Sequence, residues 1–234
     1  MAEYTKRLLV VDVSGNSMAF SLGGKIDGMS EDENRALTSW YWYDWANQAF
    51  ALTVGTVLGG QLITRYFNLA TGGSSEIAGF NVTGTSFYAA VLGLSMVFVA
   101  ISSPILGAIA DRIRIKKKIV WIYTLVGVVF TAFMGVAPHL DEDSAYRLLA
   151  FCFLMGQIGM AGGNTIYYAF MPYLAEENQM EKVSSWGFAY GFAGGTAILI
   201  LHLIVLATGA FGMTEAYGPW TLTFAFVTTS LWWL

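Results

Sequence analysis

Long apolar stretches limit what this chain can fold into. Five of them are long enough to cross a bilayer as helices, and they lie near residues 39–65, 86–110, 118–138, 147–172 and 184–210. A helix that crosses about 30 Å of hydrocarbon needs roughly 20 mostly apolar residues, because each residue adds about 1.5 Å. The sequence therefore predicts an all-α membrane protein.

A sixth apolar stretch occupies residues 219–234, up to the last residue of the sequence. As a helix its 16 residues reach about 24 Å, which is short of a full crossing unless the bilayer is thinner around it. Because no loop or charge follows, we expect a truncated chain; the alternative is a short natural ending with two tryptophans as interfacial anchors. The predicted organisation is a cytoplasmic tail at residues 1–38 and a six-helix transmembrane domain at residues 39–234.

The composition excludes several other classes of protein. The chain is 56% hydrophobic and 12% charged, whereas soluble domains are about 25% charged and disordered chains are poor in apolar residues. A single cysteine, Cys152, excludes a disulfide scaffold. No basic surface suits nucleic acid, and the sequence has no phosphate-binding loop, zinc-protease motif or nucleophile elbow, so we expect neither an enzyme nor a cofactor or metal.

The distribution of basic residues predicts the orientation in the membrane, since Lys and Arg are retained on the cytoplasmic side. Residues 111–118 read DRIRIKKK and hold five basic residues. Together with the amino-terminal tail and Lys182, ten basic residues fall on this side, and only Arg65 and Arg147 fall on the other. The amino terminus is therefore predicted to be cytoplasmic.

One acidic residue, Asp44, lies inside a predicted span, within the sequence WYWYDWANQ. A carboxylate in hydrocarbon costs about 2.5 to 3.5 kcal/mol on insertion scales, which makes such a residue a functional candidate. Asp44, Asn47 and Gln48 have the spacing i, i+3, i+4 and are expected to share one helix face. The alternative is that Asp44 is solvated at the headgroup level or is stabilised by a helix amino terminus.

The fourth stretch carries a second polar face. Gln157, Ala161, Asn164 and Tyr168 follow steps of four, three and four residues, which keeps them on one stripe of a helix. In the predicted topology Asn164 and Asn47 both lie about 12 Å from the inner end of their helices. The two amides are expected either to form a polar floor in a shared cavity or to hold the helices together, each hydrogen bond contributing about 0.6 kcal/mol.

Glycines recur at intervals of four in the last two complete stretches. Gly187, Gly191 and Gly195 form a ladder in the fifth stretch, and Gly159 and Gly163 have the same interval in the fourth. Such ladders allow helix backbones to approach closely, so we interpret them as packing seams.

The end of the second stretch resembles the loop signature of the major facilitator superfamily, G-x-x-x-D-R-x-G-R-K. Gly107, Asp111 and Arg112 match that signature. The next glycine of the signature is replaced by Arg114, and the basic pair is displaced onto residues 116–118. The position between the second and third spans is the same as in that superfamily.

Three further motifs narrow the resemblance: WYDWANQAF at 42–50, YYAFMPYL at 167–174 and SSWGFAYGFAGG at 184–195. Together with the loop signature, they resemble the autophagy-related vacuole effluxer family and its bacterial relatives, a branch also called the unknown major facilitator family. The resemblance runs from about residue 40 to residue 200.

The resemblance implies a specific architecture. Members of the superfamily are twelve-helix secondary transporters whose two six-helix halves surround a central cavity. It implies that this chain is the amino-terminal half, that a carboxy-terminal half is its missing partner, and that the first and fourth helices line the cavity. It also implies a gating role for Gly107, Asp111 and Arg112, and a plasma membrane location in a prokaryote or a vacuolar one in a fungus.

These patterns lead to a functional hypothesis. We expect a transporter that moves a small polar solute by alternating access, with amino acid efflux as the specific form that the fungal family members suggest, and with a coupling proton on Asp44. The alternative is a non-transporting six-span protein that acts as an assembly or regulatory partner, or that pairs with a copy of itself. The candidate pathway residues are Asp44, Asn47, Gln48, Gln157, Asn164 and Tyr168.

Overall fold

The computed structural model of the protein describes residues 23–112, 115–209 and 217–234, apart from the side chains of residues 109–112. Helices account for most of this described part, which confirms the predicted helical class. Most of the predicted tail, residues 1–22, lies outside the described residues.

The first apolar stretch forms one long helical segment of three consecutive parts. These are α1 (Glu31–Ala49), a π-helical segment (Phe50–Leu58) and α2 (Gly59–Thr71). A π-helix is rare, and it usually occurs as a single turn inside an α-helix at a functional site.

The remaining apolar stretches form one long helix each. A short helix α6 (Met171–Leu174) and two 3₁₀ turns, Ala137–His139 and Glu177–Gln179, connect some of them. The long helices are α3 (Gly84–Arg112), α4 (Lys116–Met134), α5 (Glu142–Tyr168), α7 (Met180–Thr208) and α8 (Pro219–Trp233).

Four helical segments in the described part are long and apolar enough to cross a membrane. They lie at residues 84–108, 116–139, 142–168 and 177–208. The first apolar stretch is divided by the π-helical segment, and α8 has 15 residues. The six-span count therefore stays a prediction.

A capping box begins α1 ahead of the apolar stretch. The Ser30 backbone N–H donates to Glu33 Oε2 at 2.9 Å, and the Glu33 backbone N–H donates to Ser30 Oγ at 3.3 Å. Each side chain satisfies the backbone N–H group of the other residue at the end of the helix. The acidic residues of the first turn also stabilise the helix, because they lie at the positive end of its dipole. The helix therefore starts eight residues before the predicted span at 39.

A two-stranded antiparallel hairpin between α2 and α3 was not predicted. It pairs β1 (Ser74–Ile77) with β2 (Phe80–Thr83) through a turn at Ala78 and Gly79. Both turn residues have positive φ, 53° and 82°, as a two-residue hairpin turn of type I′ requires. Its strands are too short to give a clear alternation of apolar and polar residues in the sequence.

The glycine ladder of α7 packs directly on α1, which confirms its interpretation as a packing seam. A Cβ atom added at Gly187 would lie 2.7 Å from the Trp40 ring, and one at Gly195 would lie 2.7 Å from the Gln48 carbonyl oxygen. Real Cβ contacts are not that short, so α7 approaches α1 this closely only because these positions are glycines.

A second seam joins α4 and α5. A Cβ atom added at Gly159 would lie 2.6 Å from the backbone nitrogen of Gly127, so the two helix backbones touch at a pair of glycines. Gly163 of the same ladder faces Tyr43 and Tyr123. Through Gly163, α5 therefore contacts α1 as well as α4.

Large apolar side chains cover the outside of the bundle. This is the arrangement expected for helices whose outer faces meet hydrocarbon, because apolar surface of this extent is unusual in a soluble protein. Examples on α3 and α4 that are at least 49% exposed are Leu94, Val97, Phe98, Ile101, Trp121, Ile122 and Phe133.

Candidate functional site

The two asparagines predicted at one depth are in contact. Asn47 of α1 is fully buried, and its Nδ2 donates to Oδ1 of Asn164 on α5 at 2.6 Å. This bond pairs the Asn47 amide donor with the Asn164 amide acceptor inside an apolar bundle, and it fixes the depth of α1 against α5. Of the two roles expected for the pair, the bond supplies helix-to-helix contact directly, and it also places polar atoms at the centre of the bundle.

Asp44 is buried in the seam between α1 and α7. Its side chain is 2% exposed, and a Cβ atom added at Gly191 would lie 2.5 Å from Oδ2 of Asp44 and 2.8 Å from Cγ of Gln48. The residue also lies more than about three turns into α1, which begins at Glu31. Both alternatives for Asp44, solvation at the headgroups and stabilisation by a helix amino terminus, therefore disagree with its position.

Two buried oxygen atoms at this site lack a hydrogen-bond partner among the described residues. They are Oδ1 of Asp44 and Oδ1 of Asn47, one turn apart on α1. A carboxylate oxygen and an amide oxygen are both acceptors, so neither can satisfy the other. Each buried acceptor left unpaired costs about 1 to 3 kcal/mol. The arrangement is thus chemically suited to receive a proton or a hydrogen-bond donor.

The polar side chains of α1 contact two different neighbours. Asp44 and Gln48 pack on Gly191 of α7, whereas Asn47 reaches α5. The three residues therefore do not all face the same neighbouring helix, because the i+3 and i+4 positions lie about 100° apart around a helix. The polar groups of α1 consequently lie between α5 and α7.

The other two candidates on α5 differ in their surroundings. Gln157 is half-buried and faces the π-helical segment, with its Nε2 3.9 Å from a Cβ atom placed on Gly55. Tyr168 is 40% exposed at the last residue of α5, and its ring packs edge-on against Tyr167 at 5.2 Å. Gln157 thus lies on the inner stripe that the spacing predicts, and Tyr168 lies at its exposed end.

An aromatic cluster that the sequence did not predict lies next to the site. Trp40 Nε1 donates to the Tyr167 carbonyl oxygen at 3.2 Å, Tyr167 Oη donates to the Trp40 carbonyl oxygen at 3.0 Å, and the two rings stack at 4.4 Å. Tyr43 stacks on Tyr167 at 4.8 Å, and its hydroxyl lies 3.2 Å from Oγ1 of Thr124 on α4. Trp40 and Tyr167 are 127 residues apart in the sequence, so no local pattern predicts their pairing.

The gating candidates lie at the far end of α3. This helix contains Pro104 and continues through Gly107 to Arg112, its last residue. Gly107 is half-buried, and nothing lies within 4 Å of a Cβ atom placed on it. The side chains of Asp111 and Arg112 lie outside the described residues, so their gating role stays a prediction.

A cavity of about 470 Å³ lies at the amino-terminal part of α7, away from the asparagine pair. It has mixed polar and apolar walls, and the side chains that line it come from one helix and the turn before it. The lining residues are Asn178, Glu181, Lys182, Ser185, Trp186 and Ala189.

Comparison with known proteins identifies one matching family. The family described as vacuole effluxer Atg22 like matches residues 32–234 of this chain. The match begins at the second residue of α1 and includes every candidate pathway residue.

Two curated relatives are transporters by name. An uncharacterized MFS-type transporter, YxiO of Bacillus subtilis (strain 168), is 28% identical over 195 residues, which are 83% of this chain and 43% of that protein. An uncharacterized symporter, sll1374 of Synechocystis sp., is 27% identical over 130 residues, which are 50% of this chain and 24% of that protein. The chain thus matches less than half the length of either relative. No solved structure matches this chain.

Proposed function

Because this chain belongs to the vacuole effluxer Atg22-like family, we propose that it is the amino-terminal, six-span half of a secondary transporter that moves a small polar solute by alternating access. It is an integral membrane protein with several apolar helices. The names of its relatives, a transporter of the MFS type and a symporter, support transport as the activity. A carboxy-terminal half would supply the other wall of the cavity.

The polar site between α1, α5 and α7 is the observation that carries this proposal. Buried polar groups are expensive in hydrocarbon and are usually paired. Here the Asn47–Asn164 bond leaves a carboxylate oxygen and an amide oxygen unpaired beside it. A site with free acceptors in the middle of an apolar bundle suits the ammonium or hydroxyl donors of a small polar solute.

We further propose that Asp44 binds the coupling proton. A proton on Oδ1 turns the carboxyl group into a donor, and the unpaired Oδ1 of Asn47, one turn away, is an acceptor for it. One proton would satisfy both atoms and neutralise the charge, which removes the cost of a carboxylate in hydrocarbon. In the unprotonated state the same two atoms are free to bind solute donors.

The solute class is proposed to be amino acids, the specific form of efflux that the resemblance to fungal family members suggests; the family description itself names an effluxer. An amino acid has a positively charged ammonium group, which is complementary to the negatively charged carboxylate of Asp44. The amino terminus is proposed to be cytoplasmic, from the distribution of basic residues.

Counterflow in proteoliposomes tests the transport proposal. Proteoliposomes that contain the full-length protein are loaded with unlabelled amino acids. Uptake of the labelled mixture is then measured for the wild type, Asn164→Ala and Asn81→Ala. We expect Asn164→Ala to lose at least roughly tenfold in uptake, because it leaves the Asn47 amide without its partner. Asn81 is exposed on the hairpin, so Asn81→Ala should behave as the wild type. Absence of counterflow in the wild type would contradict amino acid transport.

The proposed gate is tested by the accessibility of introduced cysteines. Asp111→Ala in the full-length protein should change the ratio of inward to outward labelling, because the gate would hold the cytoplasmic ends of the two halves together in one state. An unchanged ratio would count against the gate. Glu76→Ala, at an exposed position on the hairpin strand β1, provides the control.

A further inference from the structure

The segment 23–29, here called the strap, crosses the amino-terminal end of the α1–α7 pair. It is not helical, yet it is packed into the bundle: Ile26 is 4% exposed. Ile26 joins a buried cluster formed by residues of α1, α5, α6 and α7. Burying one such side chain contributes about 1.5 to 3 kcal/mol, so the strap is a bound element of the fold.

Two tyrosines from different helices hold the strap through its backbone. Tyr190 Oη of α7 donates to the Gly23 carbonyl oxygen at 3.0 Å, and Tyr41 Oη of α1 donates to the Gly24 carbonyl oxygen at 3.3 Å. The two rings also pack on each other at 5.2 Å. The strap therefore bridges the two helices that enclose Asp44.

A third attachment fixes the other end of the strap to α1. Asn34 Oδ1 accepts from the Ile26 backbone N–H at 2.9 Å, and Asn34 Nδ2 donates to the Met29 carbonyl oxygen at 3.2 Å. One side chain thus satisfies backbone groups on both sides of the strap's turn, in the manner of a capping side chain.

Glycines are required where the strap meets the helices. Gly23 and Gly24 have φ values of +121° and +89°, which side chains with a Cβ atom rarely adopt. A Cβ atom on Gly24 would lie 2.8 Å from the Tyr41 ring, and one on Gly23 would lie 3.0 Å from the Trp186 ring. The backbone lies flat on these aromatic rings because nothing projects from it.

The residues that hold the strap adjoin the polar site. Tyr41 lies one turn before Asp44 on α1, and Tyr190 immediately precedes Gly191, which contacts the Asp44 carboxylate. Separation of α1 from α7 at this end would break the Tyr190 bond to the strap and uncover Ile26. The strap thereby opposes the motion that would expose Asp44 from the amino-terminal end.

We propose that the strap is a latch that closes the amino-terminal end of the α1–α7 seam, and that its release admits water to Asp44. The consequence for transport rests on the proposed function: with the latch closed, the site is cut off from the side of the membrane on which the amino terminus lies. The closed seam itself is a property of the fold and can be measured without transport.

A pair of glycine variants tests the latch in the full-length protein in nanodiscs. Gly24 and Gly28 both have positive φ, +89° and +87°, so alanine strains both positions similarly, but nothing lies within 4 Å of a Cβ atom on Gly28. We expect the backbone amides of α1 around Asp44 to exchange with deuterium roughly tenfold faster in Gly24→Ala than in Gly28→Ala. Equal exchange in the two variants would overturn the proposal.

A second variant keeps the test decisive if Gly24→Ala does not fold. Tyr190→Phe removes the hydroxyl that donates to Gly23 and keeps the ring, and Tyr217→Phe removes a hydroxyl at an exposed position. We expect exchange in α1 to be roughly threefold faster in Tyr190→Phe than in Tyr217→Phe. Equal exchange would again overturn the latch, whereas faster exchange in a protein that fails to transport would refute only the proposed function.

Discussion

At the scale of single residues, Gly191 and Asp44 depend on each other. In the sequence the two residues belong to separate patterns, which predict a packing role for Gly191 and a functional role for Asp44. The structure places the glycine directly against the carboxylate, so the packing seam and the polar site share a residue. A sequence pattern shows the spacing within each helix, but it does not show which residue of one helix lies opposite which residue of another.

We predict that Gly191→Ala destabilises the protein and impairs the site. An added methyl group would have to displace Asp44 or separate α7 from α1, which costs about 1 to 3 kcal/mol in a packed core. Gly93→Ala is the matched control, since Gly93 is a helical glycine of α3 with nothing within 4 Å of an added Cβ atom. Thermal unfolding in detergent should show a lower midpoint for Gly191→Ala and an unchanged or higher one for Gly93→Ala. Equal midpoints would contradict the contact.

We also predict that the start of α5 depends on pH through Asp141. Its Oδ1 accepts from the Ser144 backbone N–H at 3.0 Å, and this hydrogen bond lowers the pKa of the Asp141 carboxyl group below its ordinary value. A lowered pKa means that the cap stabilises the folded helix above the unfolded pKa, about 3.9, and that this is lost as pH falls through the folded pKa. The measured quantity is the amide exchange rate at Ser144 in the wild type divided by the rate of the same amide in Asp141→Asn at the same pH. This ratio should rise with acidification, and a ratio that stays constant would contradict the assignment.

At the scale of helices, the apolar stretches predicted which segments are helical, but not how each segment is shaped. The α1 helix begins before the predicted span because a capping box precedes the apolar residues. The π-helical segment gives no signal in hydropathy, since its apolar residues suit an α-helix equally well. At its start Phe50 packs over Gly156, and just after its end Gly59 meets Phe153, so the segment is packed against α5 at both ends.

A histidine ties this π-helical segment to two other helices. His202 of α7 is fully buried, its Nδ1 lies 3.0 Å from Thr53 Oγ1 and its Nε2 lies 2.7 Å from Thr228 Oγ1. The Thr228 hydroxyl donates to the Phe224 carbonyl oxygen at 2.6 Å, so it accepts from Nε2–H, and Nδ1 accepts from Thr53. The neutral imidazole thus joins three helices.

We predict that His202→Ala lowers stability by about 1 to 3 kcal/mol, because it leaves the Thr53 hydroxyl unpaired and creates a cavity. His139→Ala is the control, since His139 is exposed and bonds Thr223 at 2.9 Å near the surface. Chemical unfolding in mixed micelles should show the larger loss for His202→Ala. A larger loss for His139→Ala would contradict the bridging role.

At the scale of the whole molecule, family, helical class and membrane character follow from the sequence, whereas the arrangement of the site does not. Equal depth of Asn47 and Asn164 could be predicted because the rise per residue of a helix is constant. In the structure their side chains are hydrogen-bonded. The strap and the Trp40–Tyr167 pair were not predicted, because they join residues far apart in the sequence through contacts that have no periodicity. The proposed gate includes side chains outside the described part, and the proposed second wall of the cavity would come from outside this chain.

The most direct test of the proposed transport mechanism is uptake driven by a pH gradient in proteoliposomes containing the full-length protein. The comparison is between the wild type, Asp44→Asn and Glu76→Gln, where Glu76 is exposed on the hairpin strand β1. We predict that Asp44→Asn reduces pH-driven uptake to the background of empty liposomes and spares solute counterflow, since asparagine cannot carry the proton, and that Glu76→Gln behaves as the wild type. Unchanged pH-driven uptake in Asp44→Asn would contradict the proposal that Asp44 carries the coupling proton.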